Sequence, residues 1–283
     1  MLASTTVRTT KLPSGEAVPV LGQGTWHMAE GKHSRTQEIA ALQMGLDLGM
    51  SLIDTAEMYG DGRAEELVGE ALRGRREQVF LVTKVLPDHA TTSGTIRACE
   101  SSLERLGTEW IDLYLLHWRG RIPLWQTIAG FRELQQSEKI RYWGVSNFDV
   151  IDMEELLDLE NGSDVASDQV LYNLSRRGIE FDLLPWCHRH RVPIMAYSPI
   201  EQGRVLEDAT VGLIAKHHQA TPAQIALAWV LRRDGVIAIP QAGVPKHVRE
   251  NRGALDIALT QEDLAQLDRA FHPPEEKRPL EMI

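Results

Sequence analysis

The stretch LIDTAEMYGDGRAEELVGEAL, residues 52–72, sets a short apolar run against a helix-period segment, with Asp54 and Tyr59 between the two. The apolar run reads as a buried strand over 51–54 and the periodic segment as a helix over 64–72. Asp54 and Tyr59 then stand at the end of a strand, either as ordinary turn residues or as groups placed for proton transfer. The rest of the chain decides between these readings.

The same strand-then-helix unit recurs on both sides of this stretch. Apolar runs at 18–21, 51–54, 79–84, 111–117, 142–146, 166–169, 193–197 and 236–239 predict eight strands. Helix-period segments at 35–48, 64–72, 92–106, 123–137, 149–159, 181–190 and 221–232 lie between them, and another at 246–255 follows the last. TTSGTI and SNFDVIDMEEL offer hydroxyl or carboxylate caps, and Thr221-Pro222 puts proline in a first helical turn. Eight short strands, apolar throughout and alternating with helices, predict a parallel sheet buried on both faces, and their number closes it into an α/β (β/α)8 TIM barrel. A doubly wound sheet would show about six strands and a glycine fingerprint after the first. GQGTWH has Gly22 and Gly24 but no third glycine and no helix directly behind, so it reads as a turn. Ahead of the barrel, VRTTKLPSGEAVPVLG reads as a β-hairpin around Pro13-Ser14-Gly15 that plugs the barrel bottom. LTQEDLAQLDRAF, capped by Thr260, predicts an extra C-terminal helix, and residues 1–283 read as one domain.

Hydrophobic content of 43% and charged content of 25% are those of a chain that buries a full core without metals or disulfides. A net charge of −10 argues against nucleic-acid and anionic-membrane partners, which require a basic patch. Cys99 and Cys187 fit neither a disulfide framework nor zinc spacing, which suits a reducing compartment. MLASTTVRTTKLPSGEAVPVLG lacks an apolar run of signal-peptide length, and no apolar stretch approaches membrane-spanning length. A cytoplasmic monomer acting on a small molecule is expected.

In an eight-stranded α/β barrel the active site forms at the carboxyl ends of the strands. Strand two ends in Asp54 with Tyr59 beyond it, strand three in Lys84 and strand four in His117. Each alone reads as a turn carboxylate, a rim aromatic, a snorkelling lysine or a satisfied core histidine. Four together at the ends of three adjacent strands point to a site.

LIDTAEMYGDGRAEELVGEAL, VTKV, IDLYLLHW, WGVSNF, QVLYN, AYSP and AIPQAG…VRENRGAL together resemble the aldo-keto reductase superfamily over nearly the whole chain. The chain most resembles bacterial reductases of methylglyoxal and other small aldehydes. The resemblance implies a (β/α)8 barrel that uses NADPH or NADH without a dinucleotide fingerprint. Reducing a carbonyl requires a hydride donor on one face and a proton donor within reach of the oxygen. A free tyrosine is a poor acid at neutral pH. An ammonium about 4 Å away, at an effective dielectric near 20, favours the phenolate by roughly 4 kcal/mol, about three pKa units. The expected roles are Tyr59 as proton donor, Lys84 bringing its pKa near neutrality, Asp54 as the partner of Lys84, and neutral His117 orienting the substrate oxygen.

By the same resemblance Ser146, Asn147 and Gln169 would hold the nicotinamide carboxamide, and Tyr197 would stack on the ring. Ser198 and the loop after it would follow the pyrophosphate, and Glu250 and Asn251 would meet adenine. Where many NADPH-dependent members have Lys-Ser and then Arg around the 2′-phosphate, this chain has Gln241-Ala242 and His247. NADPH is the expected nucleotide, with NADH also usable, and Lys246, Arg249 and Arg252 are candidate replacement charges. Trp26, Leu86 and Trp118 would rim a pocket for small or medium apolar aldehydes. The short loop IEQGRVLED and the brief tail after Phe271 suggest an open, tolerant mouth.

Two other classes compete. A metal-dependent barrel hydrolase is suggested by CHRH at residues 187–190, but that stretch precedes strand seven, at the end of the barrel away from the site. A non-catalytic barrel that binds the nicotinamide nucleotide and regulates a partner is disfavoured, because all four catalytic positions are filled.

Overall fold

The computed structural model describes residues 7–283. The first six residues of the stretch read for a leader lie outside the described residues. A hairpin of β1 (Thr9–Lys11) and β2 (Ala17–Pro19) comes first, with Thr10 opposite Val18. Eight parallel strands follow: β3 (Gln23–Gly24), β4 (Leu52–Asp54), β5 (Phe80–Val85), β6 (Ile111–Leu116), β7 (Ile140–Ser146), β8 (Asp168–Leu171), β9 (Ile194–Tyr197) and β10 (Val236–Ala238). Each pairs with its sequence neighbour, and parallel bridges Leu21–Ala238 and Gly24–Gln241 join the last strand to the first. The sheet is therefore a closed (β/α)8 barrel, as the strand count predicts.

Nine of the ten helices occupy the predicted segments or the expected C-terminal position: α1 (Arg35–Asp47), α2 (Arg63–Ala71), α3 (Thr92–Leu106), α4 (Leu124–Gln136), α5 (Val150–Leu157), α6 (Leu183–His190), α8 (Pro222–Leu231), α9 (Pro245–Gly253) and α10 (Gln261–Ala270). The tenth, α7 (Ala209–His217), is new. It turns the loop after β9, read from sequence as short, into two helical turns over Glu201–Glu207 and then a nine-residue helix. Side-chain caps explain where several helices begin. Ser34, Asp149, Thr221 and Thr260 each form a capping box with the residue three positions on, and Thr91 accepts from the Gly94 amide. Among the described residues no helix is long and apolar enough to cross a membrane.

The first barrel strand differs from its predicted place at 18–21. Val18 belongs to the hairpin, and the barrel strand is Gln23–Gly24, inside the stretch read as a turn. The reason lies in the closing seam. A Cβ on Gly24 would come within 2.6 Å of the Ile239 carbonyl oxygen, so the backbones can approach there only without a side chain. The two glycines of GQGTWH thus serve strand packing.

Period two along the strands sorts their side chains. Leu52, Phe80, Val82, Leu113, Leu115, Met195 and Ile237 fill the barrel, joined by Leu12 and Val18 from the hairpin, which plugs the bottom as expected. Ile53, Leu81, Tyr114, Val145, Val170 and Ala196 face the helices. The hairpin is also tied by charge. Glu16 accepts from Arg141 at 2.5 Å and from the Tyr142 hydroxyl at 2.6 Å. Asp112, buried nearby, accepts from Arg76 at 2.8 Å, Arg141 at 2.9 Å and the Leu81 amide at 2.9 Å.

Candidate active site

The inward parity of Leu52, Val82 and Leu115 carries on to Asp54, Lys84 and His117, so three polar side chains emerge inside the carboxyl rim of adjacent strands. All three are buried, Lys84 completely. Its Nζ lies 2.9 Å from each oxygen of Asp54, 2.8 Å from the Thr55 carbonyl and 3.3 Å from the Tyr59 hydroxyl. The ammonium thus stands between a carboxylate and a phenol. The His117 ring meets Tyr59 edge-on with centroids 5.8 Å apart, and Trp118 flanks it at 4.9 Å. The four residues singled out at the strand ends are one cluster.

Its electrostatics differ from the sequence expectation in one respect. Burial raises the Asp54 pKa and lowers that of Lys84, each shift opposed by the other's charge. For Tyr59, burial and then the Asp54 charge push the phenol well above its ordinary pKa, rather than Lys84 bringing it down to neutrality. The expectation allowed for Asp54 moderating the Lys84 field but not for burial of the phenol. Desolvation of the phenolate decides the sign, and the Asp54 charge adds to it. His117 is driven down to about 2, by burial first and by Lys84 second. It is therefore a neutral imidazole at ordinary pH, as expected. Its Nδ1 is buried and has no partner among the described residues.

The residues expected around the nicotinamide form a second network against the first. Gln169 Nε2 donates to Asp54 Oδ1 at 2.8 Å, and the Gln169 carbonyl accepts from Ser146 Oγ at 2.8 Å. Asn147 Nδ2 donates to the His117 carbonyl and to Ser146 Oγ, each at 3.1 Å, and Tyr197 donates to Asn147 Oδ1 at 2.9 Å. Asn147 and Ser198 both have left-handed backbones, with φ of 60° and 46°. Sequence alone gives no role to Asn173, Arg176 and Glu201. Asn173 donates to the Ser198 carbonyl at 2.9 Å and to Glu201 at 2.7 Å, and Glu201 also takes Arg176 and Arg204. The buried Glu201 carboxylate thereby fixes the loop after β9. Glu57, likewise without a sequence signal, accepts from the Leu86 amide at 2.7 Å and holds the loop after β5.

The remaining candidates are placed without being joined to the cluster by direct contacts. Gln241 is at the barrel seam, Ala242 is buried just beyond it, and His247, Glu250 and Asn251 lie on α9. His247 is exposed, Lys246 is 3.8 Å from Glu250, and Arg252 meets Asp256 at 3.2 Å. Trp26, stacked on His27, and Leu86 are half-buried in loops of the same face. The tail does not leave the mouth open as expected. Glu281 pairs with Arg176 at 2.5 Å, Leu280 packs on the core, and the Ile283 backbone reaches the Tyr197 hydroxyl. The CHRH stretch lies at the end of α6, before β9, where His190 stacks on Trp186.

Known proteins resemble this chain in sequence and in fold. Residues 20–271 match the model of the Aldo/keto reductase family. Methylglyoxal reductase YeaE of Escherichia coli is 50% identical over 272 residues, covering 94% of this chain and 96% of that protein. Glyoxal reductase of Bacillus subtilis is 33% identical over 264 residues, covering 92% and 91%. The crystal structure of an aldo/keto reductase from Klebsiella pneumoniae in complex with NADP and acetate superposes with a TM-score of 0.95 at 50% identity, covering 98% of this chain and all of that one. By motif, fold and overall likeness, this chain is a member of the aldo/keto reductase family.

Proposed function

We propose that this chain is an NADPH-dependent reductase of small and medium aldehydes and dicarbonyls, methylglyoxal among them, and that it yields the alcohols. The observation that carries this reading is the buried Asp54–Lys84 pair held 3.3 Å from the Tyr59 hydroxyl beside a neutral His117. The names of its relatives, a methylglyoxal reductase and a glyoxal reductase, support the substrate class.

The nucleotide fits what the residues leave unused. The hydrogens of Gln169 Nε2 are taken by Asp54 and Met195, while its Oε1 has no partner among the described residues. Ser146, Asn147 and Gln169 would hold the carboxamide, Tyr197 the ring face, and Ser198 with the Glu201 loop the pyrophosphate. Gln241, Ala242 and His247 would face the 2′-phosphate side, with Glu250 and Asn251 toward adenine. When bound, the nucleotide supplies the hydride.

Tyr59 holds the proton that the substrate oxygen takes up. Its raised pKa is no obstacle, since an alkoxide is a far stronger base than a phenolate. As the proton leaves, charge builds on the phenol oxygen, and the Lys84 ammonium is already there to stabilise it without reorganisation. Asp54 and the Thr55 carbonyl keep that ammonium aimed. On neutral His117, a proton on Nε2 leaves only a lone pair unpaired at Nδ1 and offers a donor to the substrate oxygen. Trp26, Leu86 and Trp118 supply apolar walls.

Short aldehydes, dicarbonyls and sugars, assayed with both nucleotides, test the reading. Turnover of methylglyoxal-like substrates with NADPH is expected, and nucleotide binding without turnover across the panel would overturn it. Gln241→Lys should shift the ratio of efficiencies toward NADPH by about tenfold, the equivalent of one charged hydrogen bond.

A further inference from the structure

Asp54 does more than hold Lys84: we propose that its carboxylate fixes which end of the Gln169 side-chain amide faces the nucleotide, and so makes the site select a ring substituent bearing an N–H. This rests on reading the site as a nicotinamide site. Gln169 is 2% exposed, and its amide nitrogen has two close acceptors, Asp54 Oδ1 at 2.8 Å and the Met195 sulfur at 2.9 Å. A carboxylate paired with an ammonium accepts and does not donate, and neither does a thioether. Turning the amide over would press its carbonyl oxygen against both acceptors, leaving two buried contacts repulsive or unpaired. The amide is locked in one sense.

The main chain of Gln169 is clamped as well. Its carbonyl accepts from Ser146 Oγ at 2.8 Å and from the Asn147 amide at 2.9 Å. With backbone and NH2 both committed, Oε1 is the side-chain atom with bonding capacity to spare. An acceptor held there pairs with the NH2 of a carboxamide and has nothing to offer a methyl ketone or a carboxylate in its place. Asp54 thereby becomes a positioning residue for the nucleotide as well as the partner of Lys84. The one carboxylate joins ring recognition to the ion pair beside the phenol.

The test is equilibrium binding to the full chain at neutral pH, read by quenching of tryptophan fluorescence. The probes are NADP+ and its 3-acetylpyridine analogue, in which a methyl replaces the amide NH2. The wild-type chain should prefer NADP+ by about tenfold, the weight of one hydrogen bond. Asp54→Asn, whose amide can accept or donate, and Gln169→Met should each bring the two probes within about twofold. A structural defect alone would weaken both probes alike and leave their ratio. An unchanged preference in Asp54→Asn, or none in the wild type, overturns the lock while leaving the nicotinamide reading in place. Failure of the wild type to bind either probe overturns both. Should Asp54→Asn not fold, the wild type still decides. Its Gln169 side-chain NH2 resonances, assigned through Gln169→Met, should exchange slowly with solvent before nucleotide is added. Fast exchange overturns the lock.

Discussion

Both ends of the barrel hold a buried carboxylate beside a cation and a tyrosine, yet the two clusters are built to opposite effect. At the bottom, Asp112 takes two arginines and a backbone amide, and both arginines reach solvent. Burial works against the Arg141 charge, but Asp112 and Glu16 outweigh it, so its proton is held more firmly than in water. At the top, Lys84 is wholly enclosed, and burial moves Asp54, Lys84, Tyr59 and His117 each toward its neutral form. The lower cluster fastens the hairpin to the barrel. The upper one keeps charge where solvent does not stabilise it, which is the condition for moving a proton.

The largest effect expected from this contrast is on stability. Lys84→Met strands the Asp54 carboxylate and should cost about 3–5 kcal/mol in denaturant unfolding, together with turnover. Arg141→Met removes a half-exposed arginine and leaves the buried Asp112 its Arg76 partner, so it should cost less, about 1 kcal/mol. Equal losses would erase the contrast. Tyr59→Phe should lower kcat by about 10²–10⁴-fold. Tyr142→Phe, which removes the hydroxyl from Glu16, should leave kcat alone and cost about 1 kcal/mol. Kinetics and melting of the two variants measured together sharpen the division.

A pH-dependent effect follows from His117, whose pKa falls from an ordinary 6.5 to about 2 in the folded chain. The unfolded chain binds the proton more readily, so this contribution to stability is complete above about pH 6.5. It declines as the pH falls from there toward 2. His117→Asn should flatten that part of the slope between pH 6 and 4 in urea midpoints. An unchanged slope would show that the ring is not held neutral.

Repetition makes the barrel legible in the sequence, because a strand buried on both faces and a helix buried on one leave different apolar periods. Caps sharpened the limits, and the helix predicted at 92–106 forms over those same residues between Thr91 and the left-handed Gly107. The first strand and α7 were not legible, for different reasons. Gln23–Gly24 carries no apolar signal, because the seam leaves no room for a side chain at Gly24 and Gln23 spends its amide on the Leu42 and Met50 carbonyls. The α7 segment follows a kink at Gln202-Gly203, which reads as loop. In the site, the strand-end rule was enough to gather Asp54, Lys84 and His117. The sign of the Tyr59 shift was not available, since it depends on how completely the neighbours exclude water. Asn173 and Glu201 escaped notice because an ordinary polar residue has no pattern until the loop it fastens is seen.

Where β10 meets the start of the barrel, the Gly22 amide donates to the Ala238 carbonyl, and the Ala238 amide to Val20. These partners lie far apart in the chain, so bringing them together carries the largest loop-closure cost of any pairing in the sheet. On that ground closure of the cylinder should come late in folding and be lost early. The wall should then open first at the zipper of Gly22 and Ala238, and in native-state deuterium labelling these two amides should be the least protected of the staves.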